Sequence, residues 1–467
     1  MLFSSPAFFV FFGLYFLLHL LLPLRYRLAL IIFGSAVFYG YWNPWYVWIP
    51  FAFIFIAYQG ATWMMRVPEG APRRRRMVAV IAIVLAPLLL VKYTGFVYND
   101  VLGPLLAFGG RIDAWPLPLG ISFITFTLIA YVADVYTGRY QLERNPAMLS
   151  GLVLFFPHLI AGPILRPAEL LPQLHQPRPG MPPLAFFAVA LFTWGLVKKL
   201  VFADSVAESV DRVFAPDAGA AITAAEYLLA IYGFALQIFC DFSGYTDMAL
   251  GTALLLGVKL PVNFRRPYSS DSIVAFWRRW HITLSRWLRD YLYIPLGGNR
   301  LGYPRQVFNL FVTMALGGLW HGANWTFVLW GVAHGIGIGF VHTLRRVPAL
   351  RGLSRMPRPV LVLLTFHFVA ALWILFRAPD IGTAWRVARG PFVAPWGDLA
   401  AFVTTNAFVL GLLAVFFVVH RWDNYQTIRL AVGRLPAAVL MPVIAIAWVL
   451  AIAVSQGSSA KFIYFDF

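Results

Sequence analysis

Residues Phe8-Phe9-Val10-Phe11-Phe12-Gly13-Leu14-Tyr15-Phe16-Leu17-Leu18-His19-Leu20-Leu21-Leu22 decide the fold class. The run is apolar without alternation. A membrane barrel strand is a segment of about 9–11 residues whose polarity alternates, whereas an uninterrupted run reads as helix. In hydrocarbon every backbone N–H and C=O needs a partner inside the protein, so only helices and closed barrels span. Similar runs recur along the chain. Of its 467 residues, 60% are hydrophobic and 12% charged, against about 25% charged in an ordinary soluble domain. The chain therefore reads as an all-α integral membrane protein. It forms one polytopic domain over 1–467, with a motif-rich core over 117–342.

No basic residue precedes the first run and no small-residue cleavage site falls before Arg25, so it reads as a retained helix. Further spans fit 28–43, 46–64, 77–96, 117–136, 184–203, 225–256, 306–342 (long enough for two helices), 359–377, 402–420 and 437–456. A segment over 149–171 is interrupted by Pro157, Gly162, Pro163 and Pro167 and reads as broken or re-entrant. About eleven or twelve crossings result, at roughly 20 residues each.

Charge orients them. Arg25 and Arg27, Arg73 to Arg76, and Arg139 and Arg144 mark cytoplasmic loops. The loop 204–224, with Asp204, Glu208, Asp211 and Asp217, falls outside; the loop 343–358, with Arg345, Arg346, Arg351, Arg355 and Arg358, falls inside. Both termini are then extracytoplasmic. The net charge of +18 reads as cytoplasmic loops on anionic lipid, not nucleic-acid binding. One cysteine, Cys240, leaves no intrachain disulfide and no cysteine-built metal site. No histidine pair has metal-site spacing.

Three polar islands interrupt the apolar pattern. In Phe276-Trp277-Arg278-Arg279-Trp280-His281-Ile282-Thr283-Leu284-Ser285-Arg286-Trp287-Leu288-Arg289, helical spacing puts Trp277, Trp280, Leu284, Trp287 and Leu288 in one stripe between arginines. That pattern predicts an amphipathic helix at the cytoplasmic interface. In Gly317-Gly318-Leu319-Trp320-His321-Gly322-Ala323-Asn324-Trp325, a histidine and an asparagine sit mid-span. Ionisable groups at that depth mark functional sites, and Trp320 and Trp325 suit the walls of a narrow cavity. His334, thirteen residues further on, falls on roughly the opposite face at about 100° per residue. In Asp241-Phe242-Ser243-Gly244-Tyr245-Thr246-Asp247, the carboxylates share no face of an unbroken helix. Either Gly244 breaks the helix or the two acids serve different partners. Asp247 suits orienting a histidine or pairing with an arginine of the amphipathic stretch. His158, in the broken segment, is a further cavity candidate; His19, His342, His367 and His420 read as packing residues.

These islands resemble the bacterial branch of the membrane-bound O-acyltransferase family, the branch that O-acetylates alginate and D-alanylates teichoic acid. The matching stretches include Ser35 to Pro44, Pro118 to Phe123, Phe155 to Pro163, Asp241 to Met248, Phe276 to Ser285, Trp320-His321-Gly322 and the terminal Phe462 to Phe467. Thr127, Thr246 and Asp466 depart from the usual pattern. The resemblance implies a ring of helices around a central cavity open to both faces. It makes His321 the invariant catalytic histidine and His281 the second. It implies a thioester donor, acyl-CoA or an acyl carrier protein, with no permanently bound cofactor, and a polysaccharide acceptor. A separate extracytoplasmic acetyltransferase is the implied partner. On this reading Asn324 stabilises the oxyanion, and Arg278, Arg279, Arg286 and Arg289 grip donor phosphates. A covalent route through Ser243 or Cys240, an acyl conduit and a glycan transporter are the alternatives. The enzymatic reading requires the imidazole at position 321 to be reachable.

Overall fold

The computed structural model describes residues 1–106, 110–113, 115–177, 184–217, 222–350, 352, 356–455 and 462–463. Arg351 and Arg355 of the basic loop, 218–221 of the predicted outer loop, 178–183, and Tyr464 to Phe467 of the terminal motif lie outside the described residues. All regular structure among the described residues is helical. Seven helices among them are long and apolar enough to cross a bilayer, or eight if the bent pair Leu399–Thr405 and Ala407–Val419 is one span. Two shorter apolar helices, Pro6–Leu21 and Ile121–Tyr136, accompany them.

The chain packs as two compact units. The first comprises Met1–Val189 and Ala249–Pro261. Arg73 to Arg76, expected in a loop, form the opening turns of the helix Ala71–Phe96. The interrupted segment is indeed broken, into Pro146–Leu154, Phe156–Leu159 and Pro167–His175. Proline supplies no N–H and fixes φ, so Pro146, Pro157 and Pro167 sit in the first turn of their helices, while Pro163 lies in the irregular stretch between two of them. One backbone group freed by the break finds a partner in the interior: the Phe156 N–H donates to Ser35 Oγ at 3.1 Å. At Gly162 a Cβ would lie 2.4 Å from the His158 Cα, so only glycine closes that turn. His158 is buried, its Nε2 2.8 Å from the Leu152 carbonyl oxygen; it ties the broken segment together.

The second unit comprises Ala190–Met248 and Val262–Phe467. The predicted loop 204–224 is helical through Phe214, because Ala185–Phe214 runs on as one 30-residue apolar helix. Asp204 therefore lies on that helix, where it meets Lys199. Ala224–Leu255 is a single helix of 32 residues, unbroken at Gly244. Gly244 serves a different purpose. It meets Gly195 backbone to backbone, and a Cβ on either would fall 2.5–2.7 Å from the other's carbonyl oxygen. The contact sets Lys198 and Lys199 beside the two acids of the helix.

The predicted amphipathic helix does not form as one piece. Ile273–Trp277 ends at a turn, His281 takes a left-handed backbone (φ 42°), and a new helix starts at Ile282–Leu288. Its aromatic stripe does not face headgroups either. Trp277, Trp280, Leu284, Trp287 and Leu288 are all buried in protein. The expected 306–342 pair is present as Tyr303–His321 and Trp325–Arg346. These helices touch where Gly318 faces Gly331: a Cβ on Gly318 would lie 2.2 Å from the Phe327 carbonyl oxygen and 3.0 Å from the Gly331 Cα.

Candidate functional site

His321 is the last residue of its helix; Gly322 then turns the chain back into the partner helix. The turn overturns the assumption that His334 faces away. Both imidazoles touch the same indole: Trp330 lies 5.2 Å from His321 and 4.7 Å from His334, between ring centroids. His334 accepts the indole N–H of Trp277 at Nδ1, at 3.3 Å, a packing role.

The structure brings His321 and His281 to one place. Trp320 touches both, with ring centroids 4.9 Å from His321 and 6.3 Å from His281. Phe376 closes another side of His321 at 5.2 Å, and Phe242 packs edge-on against His281 at 4.8 Å. His281 is fully buried and His321 is 3% exposed. The expected open passage to His321 is thus a nearly closed aromatic nest in this conformation. A cavity of about 550 Å³ does exist in this unit, between Trp325–Arg346 and Arg358–Arg377, with Gly337, Phe340, Leu361 and Phe368 in its wall. The ring of Phe368 lies 6.1 Å from His334.

Burial drives the His281 pKa down from its ordinary 6.5 to about 3, because an apolar enclosure disfavours the charged imidazolium. The ring is therefore neutral. Its Nδ1 lies 3.2 Å from Asn263 Oδ1.

Several predicted site residues take other roles. Asn324 caps the helix Trp325–Arg346: its Oδ1 accepts the Thr326 N–H at 3.0 Å and its Nδ2 donates to the Pro379 carbonyl at 2.8 Å. Its amide is thus held by structural bonds, which argues against the oxyanion role. Trp325 is 43% exposed. Among the described residues Asp247 neither orients a histidine nor pairs with an arginine. It pairs with Lys198 at 2.5 Å, and Lys198 also reaches Asp423 at 3.5 Å. Asp241 pairs with Lys199 at 2.9 Å, so the two acids do serve different partners.

Of the four arginines, Arg278 and Arg289 are exposed, and Arg279 and Arg286 are half-buried. Arg279 donates to the Ser269 carbonyl at 3.1 Å, and Arg289 pairs with Asp290. They lie along the broken segment that carries His281.

Sequence reasoning missed Lys198, Lys199 and Asn263. Two adjacent lysines inside an apolar run were a signal, since intramembrane bases seek intramembrane acids. Asn263 gave none, because its partners lie 18 and 20 residues away.

Comparison with known proteins places the chain in a family. Residues 145–353, which include both histidines, match the family model for the membrane-bound O-acyltransferase family. The protein named probable alginate O-acetylase of Azotobacter vinelandii is 37% identical, over 90% of this chain and 84% of its own. The peptidoglycan O-acetyltransferase of Helicobacter pylori is 34% identical, over 84% of this chain and 79% of its own. The teichoic acid D-alanyltransferase of Bacillus subtilis is 27% identical, over 55% and 68%. With its multi-pass helical fold, and on the strength of these matches, the chain belongs to the membrane-bound O-acyltransferase family and is an O-acyltransferase.

Proposed function

We propose that this enzyme moves an acetyl group from a thioester at the cytoplasmic face of a bacterial inner membrane towards hydroxyls of an extracytoplasmic polysaccharide. The observation that carries this reading is the aromatic nest in which His321 and His281 both meet the Trp320 indole. The relatives' names, O-acetylases and O-acetyltransferases of cell-surface polymers, support the choice of acyl group and acceptor class.

His321 acts as general base. It takes the acceptor hydroxyl proton as the oxygen attacks the thioester carbonyl. The C–S bond then breaks, and His321 returns the proton to the leaving thiolate. The products are an ester and a free thiol. General base catalysis of this kind is worth about 10²–10⁴-fold. His281, neutral and buried, is the second catalytic candidate. The exposed Arg278 and Arg289 and the half-buried Arg286 suit the phosphates of coenzyme A or of a carrier protein's phosphopantetheine. Access needs motion: either reactant reaches His321 only when Trp320, Trp330 or Phe376 swings aside. Both termini are assigned to the outer face by the alternation of basic loops.

The test is purified protein in vesicles, with labelled acetyl thioester on one side and an oligosaccharide on the other. Acetyl ester on the sugar is the expected result. Thioester consumption that delivers acetyl only when an outer-face acetyltransferase is added supports the conduit variant. No thioester consumption, together with unchanged polysaccharide ester in a deletion strain, would overturn the reading.

A further inference from the structure

We propose that Asn263 is a positioning residue that fixes His281 as its Nδ1–H tautomer and leaves Nε2 as the ring's acceptor atom. The inference rests on the reading that His281 belongs to the transfer site, and it begins from Thr283. The Thr283 backbone N–H can only donate, and it lies 3.1 Å from the Asn263 side chain. The atom it meets is therefore the amide oxygen and not the nitrogen. The Thr283 hydroxyl reaches the same oxygen at 3.0 Å. His281 Nδ1 is 3.2 Å from it. An amide oxygen cannot donate, so Nδ1 must carry the hydrogen. A neutral imidazole with hydrogen on Nδ1 keeps its lone pair on Nε2.

The backbone holds this arrangement from both sides. Arg265 N–H donates to the Arg279 carbonyl at 3.0 Å, and Ile282 N–H donates to the Asn263 carbonyl at 2.9 Å. These bonds clamp the segment just before and just after His281, where the left-handed φ of 42° needs support. Asn263 is itself fully buried, so water does not compete for its oxygen. It also does the work of a helix cap for Ile282–Leu288, although it lies far upstream in sequence.

The consequence lies at the other end of the ring. His281 Nε2 is buried and has no hydrogen-bond partner among the described residues. A buried acceptor without a partner costs free energy. It is retained where something arrives to use it. In an acyl transfer the arriving groups that carry a hydrogen are the acceptor hydroxyl and the product thiol. Nε2 is poised to accept from one of these, next to the Trp320 ring that also touches His321.

The experiment is ¹⁵N NMR of histidine-labelled whole protein in nanodiscs, with the His281 signals assigned by their loss in His281→Gln. The expected spectrum shows Nδ1 protonated and Nε2 unprotonated. Asn263→Asp keeps an acceptor oxygen facing both donors. It should keep the tautomer and move imidazolium formation to higher pH, because a carboxylate stabilises the charged ring. Asn263→Leu removes the acceptor. It should lose the tautomer preference and slow transfer by about 10–100-fold at unchanged donor KM, short of the full general-base effect. An Nε2–H wild-type ring, or Asn263→Leu with the wild-type tautomer and turnover, would overturn the proposal. Should Asn263→Leu fail to fold, the wild-type and Asn263→Asp spectra still decide it. The expected tautomer in a protein that transfers no acyl group would leave Asn263's role standing and sink the proposed function instead.

Discussion

Trp320 meets His321 edge to face, with 4.9 Å between ring centroids and 71° between planes. The same indole also meets His281, at 6.3 Å between ring centroids. Removing it as Trp320→Ala would open a void against both rings. Large-to-small changes of this kind cost about 3–5 kcal/mol. The expected outcome is a lower unfolding temperature and a transfer rate reduced by more than the stability loss explains, with Trp320→Phe recovering much of both. Thermal unfolding in detergent, run beside a transfer assay, checks this.

Lys198 is the hub of a buried ion cluster, between Asp247 at 2.5 Å and Asp423 at 3.5 Å. Breaking a buried pair from one side leaves a charge unpaired and costs about 3–5 kcal/mol. Lys198→Met, which strands two carboxylates, should therefore destabilise more than Asp247→Asn, which leaves Lys198 with Asp423. Equal effects of the two variants on denaturation midpoint would show that the cluster is not organised around the lysine.

Asn324 separates two readings of the histidine turn. As a helix cap its loss costs about 1 kcal/mol. As an oxyanion donor its loss would cost about 10²–10³ in rate. Because its oxygen holds Thr326 N and its nitrogen holds the Pro379 carbonyl, Asn324→Ala should cost stability and only a few-fold in turnover. The ratio of kcat values for variant and wild type is the deciding number.

His281 predicts a pH dependence of stability. Folded, it resists protonation down to about pH 3; unfolded, it takes up a proton near 6.5. The unfolded state thus binds more protons between those values, so stability is full above about 6.5 and falls as pH drops towards 3. His281→Gln removes this contribution. The wild-type advantage over His281→Gln, read as a difference in unfolding temperature, should shrink from pH 7.5 to pH 5.5. A constant difference would mean that the ring is not held neutral.

Much of this was legible in the sequence, and the exceptions share a cause. Apolar runs long enough to span gave the helices, because hydropathy acts locally. The prolines of 149–171 gave the break, because proline acts on its own backbone. The 306–342 pair followed from the length of its apolar run, and His321 from a midspan Gly-Gly-Leu-Trp-His-Gly; His281 came only from the family resemblance. What could not be read depends on partners distant in sequence. The periodicity of 276–289 is helical, yet Asn263 interrupts it by claiming Thr283 and the left-handed His281. Asp241 and Asp247 sit three residues to either side of Gly244, but their roles were set by lysines on another helix. Asn324 before Trp325-Thr326 was a readable cap signal, overlooked because a polar residue beside a buried histidine suggested chemistry first.

The central claim is that the His321 imidazole performs the proton transfer. The most direct measurement is acyl transfer by purified His321→Ala in vesicles, with folding verified by unfolding temperature and with thioester consumption and ester formation both followed. The account predicts a folded protein whose transfer falls by about 10²–10⁴-fold while donor binding persists. Wild-type transfer by the folded variant would contradict it.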